Sequence, residues 1–321
     1  MTNRSIAIAV LCGLIAAVLF VSPLSLGGMG LAMSSFTALP LFIAVLGFGT
    51  IIGTIACVVA ALTVGIFMGP ISGVSVLIAT LAPAVWIGHS AGLSRDDDGV
   101  QEWFPLSQIL FRLAVISAGI VLIIGIVTGY SEQMALDQAT IMMGQLAEVQ
   151  NQTGGDDAAG GTALIPQEQI EARARDIATL IPIIMPVSIL LLMVINLRLA
   201  ERFVRRRGWI LRPKDDLPTE VNLPPLASAI LLVAVALSFA SNDLGTIAQV
   251  IAGAFGGAFV LVGLATIHFI TRGLAIRPFL LPIVYIVLLF SRFIAPAFAV
   301  IGVAESLFNI RARFSGPPKS T

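Results

Sequence analysis

Long uncharged stretches separated by short charged segments dominate this chain. Residues 5–94 contain no Asp, Glu, Lys or Arg, whereas one helical membrane crossing needs only about 20 apolar residues. The stretch therefore predicts several crossings. Because the bilayer core offers backbone groups no hydrogen-bond partners, each crossing must be an α-helix or part of a closed β-barrel. Residues 120–124 and 189–193 are apolar at every position, whereas barrel strands alternate, so helices are predicted.

Gly, Pro and charged residues divide the apolar stretches into spans. The first helix, which lacks a clear signal-peptide cleavage site, is predicted to end near Pro23, with breaks near Gly53 and at Gly69. The apolar segment 278–310 fits either one tilted helix or a hairpin broken near Arg292. The sequence thus predicts an all-α, polytopic transmembrane bundle of about eight to ten spans. The eight spans outside the last segment are 5–22, 38–52, 53–68, 71–93, 106–129, 177–197, 223–240 and 245–270.

The distribution of basic residues predicts the orientation, because Lys and Arg accumulate in short cytoplasmic loops. Residues 130–176 contain eight acidic and two basic residues and are predicted to be external. An N-terminus inside the cell, in a bacterial cytoplasmic membrane, fits Arg4 and Arg95 on either side of four spans. The strongest cytoplasmic signal is the basic group Arg198, Arg202, Arg205, Arg206, Arg207, Arg212 and Lys214. Glu201 lies three residues after Arg198 and four before Arg205, so a weak, exposed ion pair is expected there.

These assignments predict four regions. They are an N-terminal membrane bundle at 1–129, an external acidic loop at 130–176 with a flexible Gly/Asp-rich part at 151–162, a C-terminal bundle at 177–310 that carries a cytoplasmic Arg-rich loop at 198–222, and a tail at 311–321.

Composition narrows the function classes. The chain is 57% hydrophobic and 11% charged, with a formal net charge of zero; soluble domains carry about 25% charged residues. Lipid is therefore the expected partner, and a nucleic-acid partner is not expected. The chain lacks HExxH, GxSxG and GxxxxGK[ST] sequences, so we expect neither an enzyme nor a bound cofactor. Cys12 and Cys57 lie in predicted spans and are interpreted as packing residues, with no metal site expected.

Several short motifs carry a resemblance to a known family. They are Asn196–Ala200 running into Arg205–Gly208, then Arg212-Pro213, Gly263–His268, Pro282–Tyr285, Pro296, Gly302, Glu305, Asn309 and Arg311, with Leu39–Leu41, Ala82–Ala84 and Arg95 in the N-terminal half. In this order of features the chain resembles the YybS-like family of predicted bacterial membrane proteins. At the level of the fold, that family is similar to the substrate-binding membrane subunits of energy-coupling-factor transporters. The resemblance implies no established activity.

Small residues recur at four-residue spacing in several spans, which lets helix backbones approach closely. Such faces either dock a protein partner or pack within the chain. The sets are Ala9, Gly13 and Ala17; Gly49 and Gly53; Gly125 and Gly129; and Gly253 and Gly257.

Five residues are candidates for a binding site. Pro182 and Pro186 each remove a backbone hydrogen bond in span six, so the freed carbonyls line a cavity if the helix is broken there; otherwise the prolines only bend it. Asn196 is interpreted as a helix–helix hydrogen-bonding residue rather than a ligand contact. Arg292 and Glu305 are ionisable residues within apolar sequence, which usually serve a purpose there.

Three other polar residues near span ends have simpler interpretations. Arg112 is expected to anchor its helix by reaching the headgroups. His89 and His268 are expected at the membrane interface, without metal-ligand spacing between them.

Two function classes remain after these exclusions. The first is a solute-binding or transport-related membrane subunit, with its small-molecule ligand unknown. The second is a structural or regulatory membrane protein that acts through the Arg-rich loop on a protein partner or anionic lipid.

Overall fold

The computed structural model describes residues 3–97, 100–129, 133–137, 139–141, 143–144, 167–210, 212–290 and 294–314. Helices account for almost all regular structure within these ranges. They are α1 Asn3–Val21, α2 Pro23–Ser34, α3 Leu39–Phe48, α4 Thr50–Met68, α5 Pro70–Val76, a π-helical turn Leu77–Leu81, α6 Ala82–Gly92, α7 Leu106–Thr128, α8 Gln167–Arg206, α9 Leu217–Glu220, α10 Pro225–Leu237, α11 Asp243–Ile270, α12 Arg277–Phe290, α13 Ile294–Phe308 and α14 Ile310–Phe314. Two short strands, β1 Ser94–Asp97 and β2 Val100–Trp103, pair in antiparallel fashion.

Length and hydropathy confirm an all-α, polytopic membrane bundle. Among the described residues, six helical segments are long and apolar enough to cross a bilayer, and α2 with α3 forms a bent pair, at 48°, that would make a seventh. The apolar helices α10, α12 and α13 are shorter. The six long segments are α1, α4, Pro70–Gly92, α7, Ala172–Arg206 and α11.

Glycines in the left-handed region of backbone space mark two of the helix ends. Gly69, with φ of 92°, separates α4 from α5, which confirms the predicted break. The other break lies at Gly49, with φ of 94°, and the prediction of a break near Gly53 was wrong. Gly53 is inside α4, where a Cβ would lie 2.1 Å from Val45 Cγ2. Its role is close packing rather than chain reversal.

Polar contacts gather several chain segments at one end of the bundle, which we call the basic face. It includes the C-terminal ends of α6, α8 and α11, the β-hairpin and the segment 207–224. The contacts are Arg212 Nη1 with Ala91 O at 3.1 Å and Phe104 O at 3.0 Å, Arg272 Nη1 with Asp216 Oδ2 at 2.9 Å, and Arg311 Nη1 with Pro218 O at 2.6 Å.

The last two apolar helices form a hairpin. Arg272, before α12, donates to Thr219 Oγ1 at 3.3 Å, and Arg311, after α13, donates to Thr219 O at 3.1 Å. Since both contacts lie at the basic face, the chain leaves that face in α12 and returns in α13. The described ends of α12 and α13 therefore fit the hairpin alternative for 278–310, and the predicted break near Arg292 lies outside the described residues.

The core continues through the whole bundle. One buried group joins residues of α1 and α3–α8, and a second joins residues of α7, α8, α10 and α11. Backbones approach most closely between α11 and α13: a Cβ on Gly263 would lie 2.1 Å from Phe298 O, and one on Gly302 would lie 2.1 Å from Phe259 O. Because α7 and α8 contribute residues to both buried groups, these two helices link the N-terminal and C-terminal halves of the bundle.

Candidate functional site

A half-open cavity of about 320 Å³ lies near the basic face, between α7, α8 and α11. This volume is at the lower end of the range typical of small-molecule sites, about 300–1,000 Å³. Ile210 and residues of the segment 212–221 line it on the basic side. Its polar lining residues are Arg198, Glu201, Arg212, Asp215, His268 and Tyr285.

Each of the three long helices presents one stripe of side chains to the cavity. In every case the spacing is i, i+3, i+4, i+7, which is one face of an α-helix. The stripes are Leu106, Ile109, Leu110 and Leu113 of α7; Val194, Leu197, Arg198 and Glu201 of α8; and Leu261, Leu264, Ala265 and His268 of α11. The walls are therefore apolar, and polar groups lie toward the basic face.

Glu201 is held between two arginines of its own helix. Arg198 Nη1 donates to Glu201 Oε2 at 2.6 Å and Arg205 Nη2 donates to Glu201 Oε1 at 2.6 Å. The ion pair expected from the i, i+3 and i, i+4 spacing is confirmed. It is less exposed than expected, because the Glu201 side chain is only 14% accessible.

Arg212 fixes the segment that covers the cavity. Its guanidinium donates to both carboxylate oxygens of Asp215, at 3.0–3.1 Å, and to the carbonyls of Ala91 and Phe104. A buried guanidinium is stable only when paired and fully hydrogen-bonded, and Arg212, at 5% exposure, meets that condition. The contacts tie α6 and the β-hairpin to the segment after α8.

A histidine–tyrosine pair, His268 and Tyr285, also lines the cavity. His268 Nε2 and the Tyr285 hydroxyl are 2.8 Å apart, and their ring centroids are 5.8 Å apart. This hydrogen bond connects α11 to α12. His268 lies at a span end, as expected, but it also faces the cavity.

Outside the membrane-spanning helices, Asp216 has the clearest electrostatic perturbation. Its hydrogen bonds with the Arg272 guanidinium lower the pKa of its carboxyl group from 3.8 to about 2, and the Thr219 hydroxyl contributes. Asp216 is exposed and does not line the cavity, so the Asp216–Arg272 pair holds the segment 212–221 against the end of α11.

The two candidate prolines lie away from the cavity. α8 is helical through Pro182 and Pro186, both of which are buried. The helix is therefore not broken there. The intervening backbone packs on α11: a Cβ on Gly253 would lie 2.3 Å from Ile183 O. This segment serves close packing.

Asn196 links α8 to the turn between α2 and α3, whereas a bond from helix to helix was predicted. Its Nδ2 donates to Ser35 O at 2.8 Å and to Leu192 O at 2.7 Å. The side chain is 1% exposed and does not line the cavity.

Glu305 is 2% exposed and pairs with Arg311, whose Nε lies 2.8 Å from Glu305 Oε1. Arg311 also donates to the carbonyls of Pro218, Thr219 and Val221. This buried pair holds the C-terminal end of α13 against the segment 217–221. Arg292 lies outside the described residues, as does the segment 151–162.

Arg112 and His89 hold helices together near the basic face. Arg112 Nη1 donates to Ser90 Oγ at 2.7 Å and its guanidinium lies 4.3 Å from the Phe104 ring centre. His89 Nδ1 and Thr50 Oγ1 are 2.7 Å apart. Neither residue lines the cavity.

The small-residue faces of α1 and α11 are occupied by the chain itself. A Cβ on Gly13 would lie 2.6 Å from Ala56 O, so this face of α1 packs against α4. Gly253 and Gly257 pack against Ile183 and Val187 of α8 in the same way. These two faces therefore leave no room for a partner helix.

A family model described as "Predicted membrane protein (DUF2232)" matches residues 14–306. The chain belongs to this family. The match includes all three helix stripes that line the cavity. No curated protein and no solved structure matches the chain. The DUF2232 assignment therefore supports a multi-pass membrane protein and leaves its ligand and activity to be proposed.

Sequence reasoning recognised four of the polar cavity residues only in part. Arg198 and Arg212 were interpreted as orientation signals, Glu201 as part of an exposed ion pair, and His268 as an interface residue. Asp215 was missed, although its opposite charge three residues after Arg212 is a signal from which this buried ion pair could have been predicted. The sequence gives no signal for the contact between His268 and Tyr285, because the two residues belong to different helices.

Proposed function

We propose that this DUF2232 protein is a solute-binding, transport-related membrane subunit whose ligand occupies the cavity between α7, α8 and α11. The observation that carries the proposal is the combination of apolar walls with polar groups gathered at one end. Such a site accepts a molecule with an apolar body and fixes its orientation by a few polar contacts. The resemblance to YybS-like proteins, and at the level of the fold to energy-coupling-factor substrate-binding subunits, supports the same function by analogy.

A non-catalytic function is part of this proposal. The chain has no GxxxxGK[ST] sequence, so ATP-driven transport would require a partner subunit that binds the nucleotide. The protein would supply the ligand site and the partner would supply the energy.

Native mass spectrometry of the purified full-length protein tests the binding site. We expect the wild type to retain a small molecule at one-to-one stoichiometry. Ala265→Phe, which places a ring in the cavity, should abolish retention, whereas Ala236→Phe, on an exposed position of α10, should not. Equal retention by both variants would remove the cavity as the binding site.

The basic face is proposed to be cytoplasmic and the membrane to be the bacterial inner membrane, because it gathers the basic segment 198–214, Arg272 and Arg311. Cysteine labelling of whole cells tests this orientation. A membrane-impermeant reagent should fail to label a cysteine placed at Gly208, which is exposed on this face. Labelling of Gly208→Cys from outside would reverse the orientation.

A regulatory role through the Arg-rich segment is the second candidate. Arg202, Arg206, Arg207 and Lys214 are exposed, whereas Arg198, Arg205 and Arg212 bind Glu201 and Asp215. The exposed group is therefore the part of this segment that a soluble partner or lipid head groups at the membrane surface would meet first. Co-purification of a soluble protein that is lost in the Arg202→Ala/Arg206→Ala/Arg207→Ala triple variant would favour this role over ligand binding.

A further inference from the structure

Two arginines and two carboxylates line the polar end of the cavity. Glu201 and Asp215 are the two carboxylates that line it, and each has both oxygens bonded to guanidinium groups. Arg205, which does not line the cavity, also donates a hydrogen bond to Glu201. Three guanidiniums, those of Arg198, Arg205 and Arg212, therefore face two carboxylates.

Arg198 is the arginine whose hydrogen-bonding capacity is least used. Its Nη1 binds Glu201, and its Nε and Nη2 donate to none of the described residues. Asp215 Oδ2 is 4.0 Å from Nη1, beyond hydrogen-bond distance. The side chain keeps 29% exposure, compared with 5% for Arg212. Arg198 thus offers a charged donor group beside the apolar walls.

We propose that the cavity binds an acidic amphiphile, with a carboxylate or phosphate head at Arg198 and an apolar tail along α7 and α11. An anionic head gains charge-assisted hydrogen bonds from the Nε and Nη2 donors of Arg198, which Glu201 leaves unused. A cationic head would meet carboxylates that are already paired and would be repelled by Arg198. The tail contacts Leu110 and Leu113 of α7 and Leu261 of α11, which line the apolar part of the cavity. This inference rests on the proposed function and specifies its ligand class.

Four single-chain probes that differ only in the head group test the class: dodecanoate, dodecyl phosphate, dodecanol and dodecyltrimethylammonium. They are titrated by native mass spectrometry into delipidated full-length protein in a neutral detergent. We expect the two anions to bind about tenfold or more tightly than the alcohol or the ammonium, since a hydrogen bond to a charged group contributes about 1.5–3 kcal/mol. A parallel titration with phosphatidylglycerol distinguishes a two-chain lipid from a free single-chain acid as the source of the head group.

Variants of α8 test whether Arg198 causes the preference for anionic head groups. Arg198→Gln should reduce the affinity for the anions about tenfold and leave dodecanol unchanged, and Arg198→Lys should restore most of the anion preference by keeping the charge. Arg202→Gln is the matched control, because Arg202 is exposed, lies one turn further along α8 and does not line the cavity. Thermal unfolding of each variant checks that the fold is intact.

The outcomes separate this inference from the proposed function. Equal binding of acid and alcohol, blocked by Ala265→Phe, would overturn the acidic class while the cavity remained the binding site. Tight binding of the ammonium probe would overturn the charge argument in the same way. If no probe bound and Ala265→Phe retained the same small molecules as the wild type, both proposals would fall.

Discussion

Two segments of the same helix, α8, behave in opposite ways. The segment around Pro182 and Pro186 has the irregular sequence expected of a broken helix, yet it packs against Gly253 and Gly257 with its backbone almost in contact. The segment Val194–Glu201 has a regular sequence, and it lines the cavity. A proline in a membrane helix can bend it to fit a neighbour without opening a site. In α8 the charged residues Arg198 and Glu201, and not the prolines, mark the face that lines the cavity.

The largest effect should come from filling the close contact of the proline segment. Gly253→Leu places side-chain atoms where Ile183 O lies 2.3 Å from the Cβ position, so we expect about 3 kcal/mol or more of destabilisation and a loss of folded protein. Gly256→Leu is the control, since its Cβ would meet only Leu231 Cδ1 at 4.0 Å. Gly245 is unsuitable as a control because its Cβ would lie 1.9 Å from Ala240 O. The yield of monodisperse protein in detergent measures the difference; equal yields would mean that the helices separate easily there.

The next effect concerns Glu305, which belongs to structure rather than to the cavity. Glu305→Gln removes the charge that Glu305 provides to the buried Arg311 guanidinium, and we expect a cost of about 3 kcal/mol. Ligand retention per folded molecule should be unchanged, because Glu305 does not line the cavity. Thermal unfolding combined with native mass spectrometry separates the two readouts. Loss of ligand without loss of stability would place Glu305 in the site after all.

A smaller effect is expected from straightening the proline segment. The Pro182→Ala/Pro186→Ala variant restores backbone hydrogen bonds but disturbs the packing on Gly253, so we expect a net change within about 1 kcal/mol. Its affinity for a cavity ligand should stay within about twofold of the wild type. A much weaker affinity would show that the proline segment and the cavity-lining segment of α8 are coupled.

The smallest effect is the pH dependence of the exposed Asp216–Arg272 pair. The folded-state pKa of Asp216 is about 2 and its ordinary value is 3.8. Because the folded pKa is the lower one, the pair stabilises the fold above about pH 4, and this contribution disappears as the pH falls toward about 2. The difference in unfolding temperature between wild type and Asp216→Asn should therefore be present at about pH 6 and shrink on acidification. A pH-independent difference would indicate a packing effect of Asp216 instead.

The sequence by itself determined the class of fold and much of the path of the chain. Long uncharged stretches require helices in lipid for a local reason, namely that backbone groups must be satisfied within each segment. The Gly69 break and the ion pairs of Glu201 were also predictable, because each depends on residues close together in the sequence. Gly53 was misplaced as a break because a glycine that packs and a glycine that turns the chain are identical in sequence.

Only the tertiary structure decided where the cavity lies. Its three stripes occur around residues 106–113, 194–201 and 261–268, and each stripe alone looks like an ordinary buried helix face. Whether such faces close on each other or leave a space depends on how far apart the helices are held. That distance is set by contacts elsewhere: backbone packing at Gly253 brings α8 and α11 together at one level, while Arg212 and its partners hold the segment 210–221 over the gap at another.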